Sequence, residues 1–233
     1  MKLAIMQPYF LPYIGYFQLI KSVDEFVIYD NIQYTKKGWI NRNRILVNQS
    51  DDYITLPLKK DSDYLNVNQR YLSDNWAVDR KKMLNRIVES YRKAPQFEKV
   101  FPLIENCIYG ADLNLFDFIH YTLKEILSHL SIGTKITLSS SIDIDHSLNS
   151  KEKVLAICCN KNASIYINPI GGVNLYSKDN FGVKGIDLLF QKSREIEYKQ
   201  FNDKFIPWLS IIDILMFNSL EDVNVMFDKF ELI

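Results

Sequence analysis

The chain has few of the residues that build disulfides and metal sites. Three cysteines and three histidines occur among its 233 residues. An odd number of cysteines, with Cys158 next to Cys159, is a poor disulfide framework, and the histidines match no zinc-binding pattern. We therefore predict a cytoplasmic protein with no metal site and no permanently bound cofactor.

Surplus charge and long apolar runs are missing as well. Lysine plus arginine and aspartate plus glutamate both total 28, so the chain has no overall field that attracts nucleic acid or anionic membranes. Charged residues interrupt the apolar runs well before the roughly 20 residues that a membrane span needs. The hydrophobic content of 47% is sufficient for one core. We predict a single α/β domain, residues 1–233, that does not insert into a membrane.

Short apolar runs alternate with helical periodicity along most of the chain. Residues 2–6 form a strand candidate, residues 14–22 have helical spacing, and residues 24–30 form a second strand candidate. A β-α-β unit of this length predicts a parallel strand pair. The same alternation returns at 135–142, 150–159 (a helix with Ser150 as its cap), 164–169 and 186–191. The pattern predicts an α/β fold with a Rossmann-like, mainly parallel sheet flanked by helices.

The middle of the chain departs from this alternation. Three amphipathic helices are predicted in succession, at 76–91, 97–109 and 111–130. We predict that this helical segment, about residues 75–131, is inserted into the sheet or layered on it.

Other irregular parts of the chain surround that segment. Residues 39–47 and 53–58 are typical of a hairpin whose strands are joined through "NQSDD". The serine run at 139–141 is predicted to be a surface turn. Two further helices are predicted near the end of the chain, at 208–218 and 220–230.

The ligand site is expected at the carboxyl ends of the parallel strands, because loops and helix N-termini converge there. Three loops follow predicted strands: residues 7–13, 30–38 and 168–176. We expect these loops to surround one crevice.

The first of these loops, "QPYFLPY", leads from a strand into a helix. A helix that begins near Tyr13 presents free backbone N–H groups, and Gly15 allows the backbone or a ligand to approach closely. Gln7 follows an apolar strand, where its amide either contacts a ligand or satisfies the backbone. Tyr9 and Tyr16 are further candidates for ligand contact, although rings at this spacing are also typical of a core.

The second loop leads into a stretch that is rich in amides and positive charge, residues 30–45. Asp30 ends an apolar strand, which places its carboxylate at the mouth of the crevice. The amides of Asn41 and Asn43 suit sugar hydroxyls, and the Arg42 guanidinium matches pyrophosphate oxygens. Further substrate-binding candidates are two rings suited to stacking on a sugar or a base, and two polar side chains: Tyr34, Trp39, Gln33 and Lys37.

The third loop contains paired glycines. Gly171 and Gly172 form either a tight loop that brings backbone N–H groups to a ligand or a simple turn. Asn174 and Tyr176 extend the set of substrate-binding candidates on the same loop.

The segments "AIMQPYFLPYIGYFQLI", "DEFVIYDNIQYTKKGWINRNRI", "YITLPL" and "FIPWLSIIDILMFN" resemble the WbqC-like protein family, which is encoded in bacterial O-antigen and other polysaccharide gene clusters. The resemblance implies a role in the synthesis of surface polysaccharide. It also implies transfer of glycine, or a related acyl unit, to the amino group of a nucleotide-linked sugar. This chain has Met6 where many members carry histidine, which argues against an essential imidazole at that position.

Such a transfer needs a deprotonated amine, aligned partners and a stabilised oxyanion. We assign Asp30 as the base or amine-positioning group, and Asn43 or the helix N–H groups near Tyr13 as oxyanion donors. No serine or cysteine is paired with a matching histidine, so we expect direct transfer without a covalent intermediate. The co-substrate is an activated acyl donor, either an aminoacyl-tRNA, a carrier-protein thioester or an acyl-adenylate.

Two other functions are alternatives. The loop and helix start are similar to those of nucleotidylyltransferases with a His-X-Gly-His motif, but "YIGY", residues 13–16, has neither histidine. A non-catalytic sugar-nucleotide-binding protein is the other alternative, because no complete catalytic constellation is present. The sequence does not predict the oligomeric state.

Overall fold

The chain forms a mostly parallel sheet flanked by helices, in a computed structural model that describes residues 1–110, 112–202 and 204–233. The strands are β1 (Lys2–Met6), β2 (Glu25–Ile28), β3 (Arg42–Val47), β4 (Ser50–Thr55), β5 (Lys135–Leu138), β6 (Ile165–Pro169), β7 (Asp187–Ser193) and β8 (Phe230–Leu232). Six of them form one sheet in the order β5-β2-β1-β6-β7-β8, in which β8 alone is antiparallel to its neighbour. The other two, β3 and β4, form an antiparallel hairpin. The predicted α/β class with a mainly parallel sheet is confirmed.

Eight α-helices occur in the described ranges. They are α1 (Ile14–Lys21), α2 (Trp76–Tyr91), α3 (Phe97–Tyr109), α4 (Leu115–His129), α5 (Ser150–Asn160), α6 (Lys178–Gly182), α7 (Ile211–Phe217) and α8 (Leu220–Met226). Within the same ranges, no helix is both long and apolar enough to cross a membrane.

Each face of the sheet has its own hydrophobic core, because successive residues of a strand point to opposite faces. In β1, Ala4 packs in the larger core together with buried residues of α1 to α4, α7 and α8. Leu3 and Ile5 pack in the smaller core together with α5 and α6. The helices of the segment 75–131 are therefore layered on one face of the sheet.

Two helices are capped at their N-termini by asparagine side chains. Asn114 Oδ1 accepts hydrogen bonds from the N–H groups of Phe116 and Asp117, so α4 begins at Leu115 and not at 111, a position that lies outside the described residues. The cap of α5 is Asn149 rather than the predicted Ser150, because Asn149 Oδ1 accepts hydrogen bonds from the N–H groups of Lys151 and Glu152.

The predicted turn of the hairpin and the predicted last helix are both too long. Asn48 and Gln49 have φ angles of 48° and 67°, which turn the chain sharply and let β4 begin at Ser50 rather than at 53. The helix predicted for 220–230 ends at Met226, and the following residues form β8 against β7. The sheet gains an edge strand that helical spacing did not predict.

Glu25 joins β2 to β5 and to the end of α5. The residue is 4% exposed, and its carboxylate contacts Lys135 Nζ (2.9 Å), Thr137 Oγ1 (2.7 Å) and Lys161 Nζ (2.8 Å). Burial alone raises the pKa of Glu25, but the hydrogen bonds from Lys161, Thr137 and Lys135 outweigh it and lower the pKa to about 2. The folded chain is therefore stabilised by ionised Glu25.

We expect the free energy of unfolding to fall as the pH decreases from 4.5, the ordinary pKa of the group, to about 2. Glu25→Gln should lower stability at neutral pH and remove this part of the pH dependence, as measured by urea unfolding across the acidic range. Glu231→Gln is the control, because its ion pair with Lys192 (3.4 Å) is exposed and exposed pairs contribute little. Identical pH profiles for the two variants would contradict the role of Glu25.

Candidate functional site

A cavity of about 480 Å³ opens at the carboxyl ends of β1 and β6. β1 pairs with β2 on one side and with β6 on the other, so the strand order reverses at this point. Open α/β sheets bind ligands at such switch points, and the volume is within the roughly 300–1,000 Å³ of small-molecule sites. We call it the switch-point cavity. Its polar, aromatic and glycine lining comprises Gln7, Tyr9, Tyr29, Ser150, Asn168, Gly171, Gly172 and Tyr176.

Strand alternation determines which side chains reach this cavity. Ile5 faces the side of the sheet that α5 and α6 cover, and Gln7 continues the same row beyond the end of β1. Val27 and Tyr29 form the corresponding row in β2. Tyr29 therefore lines the cavity, whereas its neighbour Asp30 does not.

The lining is uncharged, and beside its polar side chains it contains six apolar residues: Ile5, Met6, Ile32, Val154, Pro169 and Leu175. Among the described residues around the cavity, none is acidic, basic or a histidine. The backbone carbonyl of Gln7 accepts a hydrogen bond from the Tyr16 hydroxyl (2.9 Å), which fixes the backbone at this position. No described residue forms a hydrogen bond with the Gln7 side-chain amide, so this amide is available to a ligand.

The tyrosines of the cavity stay protonated at neutral pH. Burial raises the pKa of Tyr29 to about 12, and the proximity of Tyr176 adds to the rise. Burial and the proximity of Tyr13 raise the pKa of Tyr9, and burial raises the pKa of Tyr176. These phenols donate and accept hydrogen bonds, but they are not general bases at neutral pH.

The glycine turn after β6 closes one side of the cavity. A Cβ at Gly172 would collide with Asn168 Nδ2, whereas a Cβ at Gly171 would meet nothing within 4 Å. Asn168 is held in place because its Oδ1 accepts the Tyr166 hydroxyl (3.0 Å) and its Nδ2 donates to the Pro169 carbonyl (3.1 Å). The close approach of the turn to Asn168 therefore requires glycine at 172.

A second cavity, of about 150 Å³, shares Tyr9 with the first. We call it the aromatic cavity, and it is lined by Tyr9, Pro12, Tyr13, Trp39, Asn43, Arg44 and Trp208. Its two tryptophans are 39% (Trp39) and 50% (Trp208) exposed. Tyr13, Trp39 and Asn43, which were separate candidates in the sequence, thus lie together around one space.

Asp30 is 2% exposed and lines neither cavity. Its carboxylate accepts hydrogen bonds from Ser139 Oγ (2.9 Å), the Ser140 N–H (2.9 Å) and Asn68 Nδ2 (3.2 Å). The serine run, predicted to be a surface turn, forms a 3-10 turn whose first residue is fully buried against Asp30. Asp30 therefore joins the loop that contains Asn68 to the turn that follows β5. The sequence predicted that Asp30 would lie beside the first loop at the crevice, and the structure does not place it there.

The Asn41-Arg42-Asn43 triplet is bound mainly to the protein itself. Asn41 accepts a hydrogen bond from the Tyr34 hydroxyl (2.9 Å) and donates to a backbone carbonyl that follows β4 (2.8 Å). The Asn43 amide donates to two carbonyls of the first loop (3.1 and 2.9 Å), and Arg42 Nε donates to a carbonyl of the preceding loop (3.1 Å). The triplet shapes the loops, and Asn43 alone of the three lines a cavity.

Gly15 and Tyr16 support the cavities from α1 without lining them. The ring of Tyr13 occupies the space beside Gly15, where a Cβ would collide with the ring's hydroxyl end. The missing side chain of Gly15 thus makes room for the Tyr13 ring. The sequence had predicted that either the backbone or a ligand would approach Gly15 closely. Tyr16 is 3% exposed and holds the first loop through its bond to the Gln7 carbonyl.

The remaining sequence candidates lie away from the switch-point cavity. Gln33 is exposed and donates to the Asp63 carbonyl (3.0 Å), and Lys37 is exposed with a φ of 63°. Asn174 lines a neighbouring cavity of about 440 Å³ that shares Tyr176 with the switch-point cavity. The third loop therefore contributes to both spaces.

Five polar or aromatic lining residues were not among the site candidates from the sequence: Tyr29, Ser150, Asn168, Arg44 and Trp208. Alternation along β2 could have identified Tyr29, because it continues the row of Val27 on the cavity side. No local pattern identifies Trp208, which reaches the aromatic cavity from the distant end of the chain.

Comparison with known proteins identifies relatives along most of the chain. The model of the WbqC-like protein family matches residues 7–225, which include all of the aromatic cavity and all of the switch-point cavity except Ile5 and Met6. This chain belongs to the WbqC-like family. A protein of Mycobacterium tuberculosis (strain ATCC 25618 / H37Rv), named "Uncharacterized protein Rv1507c", is 31% identical over 218 residues, which cover 92% of each chain. No solved structure matches. The family predicted from the four sequence segments is confirmed.

The two cavities of this family member differ in chemistry. The switch-point cavity offers amide and phenol groups that suit a neutral ligand with many hydroxyls. The aromatic cavity offers ring faces and one guanidinium, which suit a planar ring. Tyr9 lines both, so the two cavities adjoin at this residue.

Proposed function

We propose that this protein binds a nucleotide-linked amino sugar in the switch-point cavity and transfers an acyl or aminoacyl group, such as glycyl, to the sugar's amine. The reaction would serve bacterial O-antigen or other surface polysaccharide synthesis in the cytoplasm, the context that the sequence resemblance implies. The observation that carries the proposal is the uncharged, hydrogen-bonding lining of a cavity of about 480 Å³ at the switch point. Sugar hydroxyls need partners that both donate and accept, which the Gln7 amide and the phenols supply.

The uncharged lining also suits the amine. A carboxylate beside the amino group would stabilise the ammonium form, whereas a partly apolar cavity without a carboxylate favours the neutral nucleophile. In the proposed step the amine attacks the acyl carbon, a C–N bond forms, the bond to the donor's leaving group breaks, and the amine proton passes to solvent or to that group. Because no described lining residue is a base at neutral pH, the rate gain comes from positioning.

The acyl donor is a co-substrate of one of three classes: an aminoacyl-tRNA, a carrier-protein thioester or an acyl-adenylate. Each provides an activated carboxyl group, so no covalent enzyme intermediate is needed. Mass spectrometry of the amino-sugar nucleotide after incubation with each donor class identifies an N-acylated product. If no N-acylated product forms with any of the three donor classes, the proposed acyl transfer is rejected.

A non-catalytic sugar-nucleotide-binding protein is the second candidate. It is favoured by the position of Asp30, whose carboxylate is bound by Ser139, Ser140 and Asn68 and is therefore not at the cavity. Binding without product formation would support this candidate over transfer.

The Gln7 amide provides the first test of binding. Gln7→Leu keeps a similar volume but removes the amide, so we expect about a tenfold loss of affinity for a nucleotide-linked amino sugar, because a ligand hydroxyl loses its partner. Isothermal titration calorimetry with the wild type and the variant measures the change.

Gln33→Leu is the matched control, because Gln33 is an exposed glutamine that contacts the Asp63 carbonyl and lies outside the cavity. Its affinity should equal that of the wild type. A loss of affinity with Gln33→Leu but not with Gln7→Leu would show that the ligand binds at the second loop and not in the switch-point cavity.

A further inference from the structure

The aromatic cavity is built around two tryptophans that the fold leaves partly exposed. Trp39 is 39% and Trp208 is 50% exposed, although tryptophan gains more than most residues from burial. The third tryptophan of the chain, Trp76, is 2% exposed in the core. The two exposed rings and Tyr13 surround the same space of about 150 Å³.

The ring of Trp39 is held in position from two sides. The Arg44 guanidinium lies 5.7 Å from the centre of the Trp39 ring, and the Tyr53 ring lies 6.2 Å from it. Arg44 and Tyr53 are cross-strand partners in the β3–β4 hairpin. The hairpin therefore presents Trp39 in a defined orientation before any ligand binds.

The backbone of Trp208 adopts an unfavourable conformation. Its φ of 61° is in the left-handed region, which a bulky side chain rarely adopts. Arg44 Nη2 donates to the Trp208 carbonyl (3.2 Å), and the Ser210 N–H donates to the Arg44 carbonyl (2.8 Å). Tyr13 meets the Trp208 ring edge-on at 5.8 Å. Strain that is held in place at a cavity indicates a functional constraint.

The ligand must be a planar ring with few hydroxyls. The Asn43 side chain already donates to two carbonyls and accepts from the Arg44 N–H, and Arg44 already contacts Asp51 (3.0 Å). The amide and the guanidinium of the aromatic cavity are therefore already engaged within the protein, whereas the ring faces of the tryptophans are exposed. A space of this size is also smaller than the roughly 300–1,000 Å³ that hold a whole small molecule.

We propose that the aromatic cavity binds the nucleobase of the same nucleotide-linked sugar whose sugar part occupies the switch-point cavity. The inference rests on the proposed function, because Tyr9 lines both cavities and one ligand extends past it. The base stacks on Trp39 and Trp208, and the Arg44 guanidinium lies near the phosphates that follow it.

The test compares three probes: the nucleotide-linked amino sugar, its nucleoside diphosphate and the amino sugar 1-phosphate. Trp39→Leu should lower affinity for the first two about tenfold, since base stacking on an aromatic residue contributes this much, and should leave the third unchanged. Tyr64→Leu is the control, because Tyr64 is 85% exposed and lines neither cavity. Gly15→Ala, which displaces the Tyr13 ring, should reproduce the effect.

Fluorescence provides a readout that does not depend on affinity. Binding of the nucleoside diphosphate should quench emission of the wild type, and the Trp39→Phe/Trp208→Phe double variant, which retains only Trp76, should show no quenching. Equal losses for all three probes with Trp39→Leu, or quenching that persists in the double variant, would overturn the nucleobase assignment. The Gln7→Leu result would still stand, so the two proposals fail separately.

Discussion

Gly172→Ala is expected to weaken binding of a nucleotide-linked amino sugar about 100-fold, the largest loss among the binding variants. The added Cβ collides with Asn168 Nδ2, so either the amide or the glycine turn must move. If Asn168 moves, the Tyr166 hydroxyl loses its acceptor in a fully buried position. Both movements change the shape of the switch-point cavity. Calorimetric titration measures the loss.

Gly182→Ala is the matched control for this variant. Its added Cβ would meet nothing within 4 Å, and Gly182 lies in α6, outside the lining of the cavity. Its affinity should be that of the wild type. If Gly172→Ala bound as tightly as Gly182→Ala, the switch-point cavity would not be the ligand site.

Asp213→Ala is expected to have the largest effect on stability, with a melting temperature about 10 °C lower. Asp213 is 0% exposed, and its carboxylate accepts hydrogen bonds from the Tyr91 hydroxyl (2.9 Å), the Tyr198 hydroxyl (2.6 Å) and Gln200 Nε2 (2.8 Å). Alanine leaves all three donors without this acceptor, at a cost of about 3–5 kcal/mol in total. Differential scanning calorimetry measures the change.

Burial raises the pKa of Asp213, although the bonds from Tyr198, Gln200 and Tyr91 oppose the rise. Asp213→Asn keeps one carbonyl acceptor and should therefore be more stable than Asp213→Ala. Asp228→Ala is the control, because Asp228 is exposed in the turn before β8. A melting temperature for Asp213→Ala equal to that of Asp228→Ala would show that the buried network does not stabilise the fold.

Local patterns were sufficient to predict most of the sheet. β1, α1 and β2 follow one another within thirty residues. The spacing of their apolar residues predicted each element, and the short β-α-β unit predicted the parallel pairing of the two strands. β8 was missed because the helical pattern predicted for 220–230 includes its first residue, Phe230, whereas pairing with β7 decides the conformation of all three. Tertiary contacts overrode the local pattern there.

The candidate site was predicted less completely, for a geometric reason. The end of β2 borders the switch-point cavity, but the edge of a sheet has two faces, and alternation directs Tyr29 to one face and Asp30 to the other. The sequence left open whether the Gln7 amide contacts a ligand or the backbone, and alternation along β1 places it on the cavity side. Trp208 could not be assigned, because its position depends on contacts with Arg44, far away in sequence.

The pairing of β1 with β6 also affects how the chain is synthesised and folded. Lys2 aligns with Ile165, so β1 lacks one neighbour until the residues of β6, far along the chain, have been translated. Contacts this distant in sequence close slowly, and an apolar strand that waits unpaired is exposed to aggregation. Chains that lack β6 therefore leave one edge of β1 without its parallel neighbour.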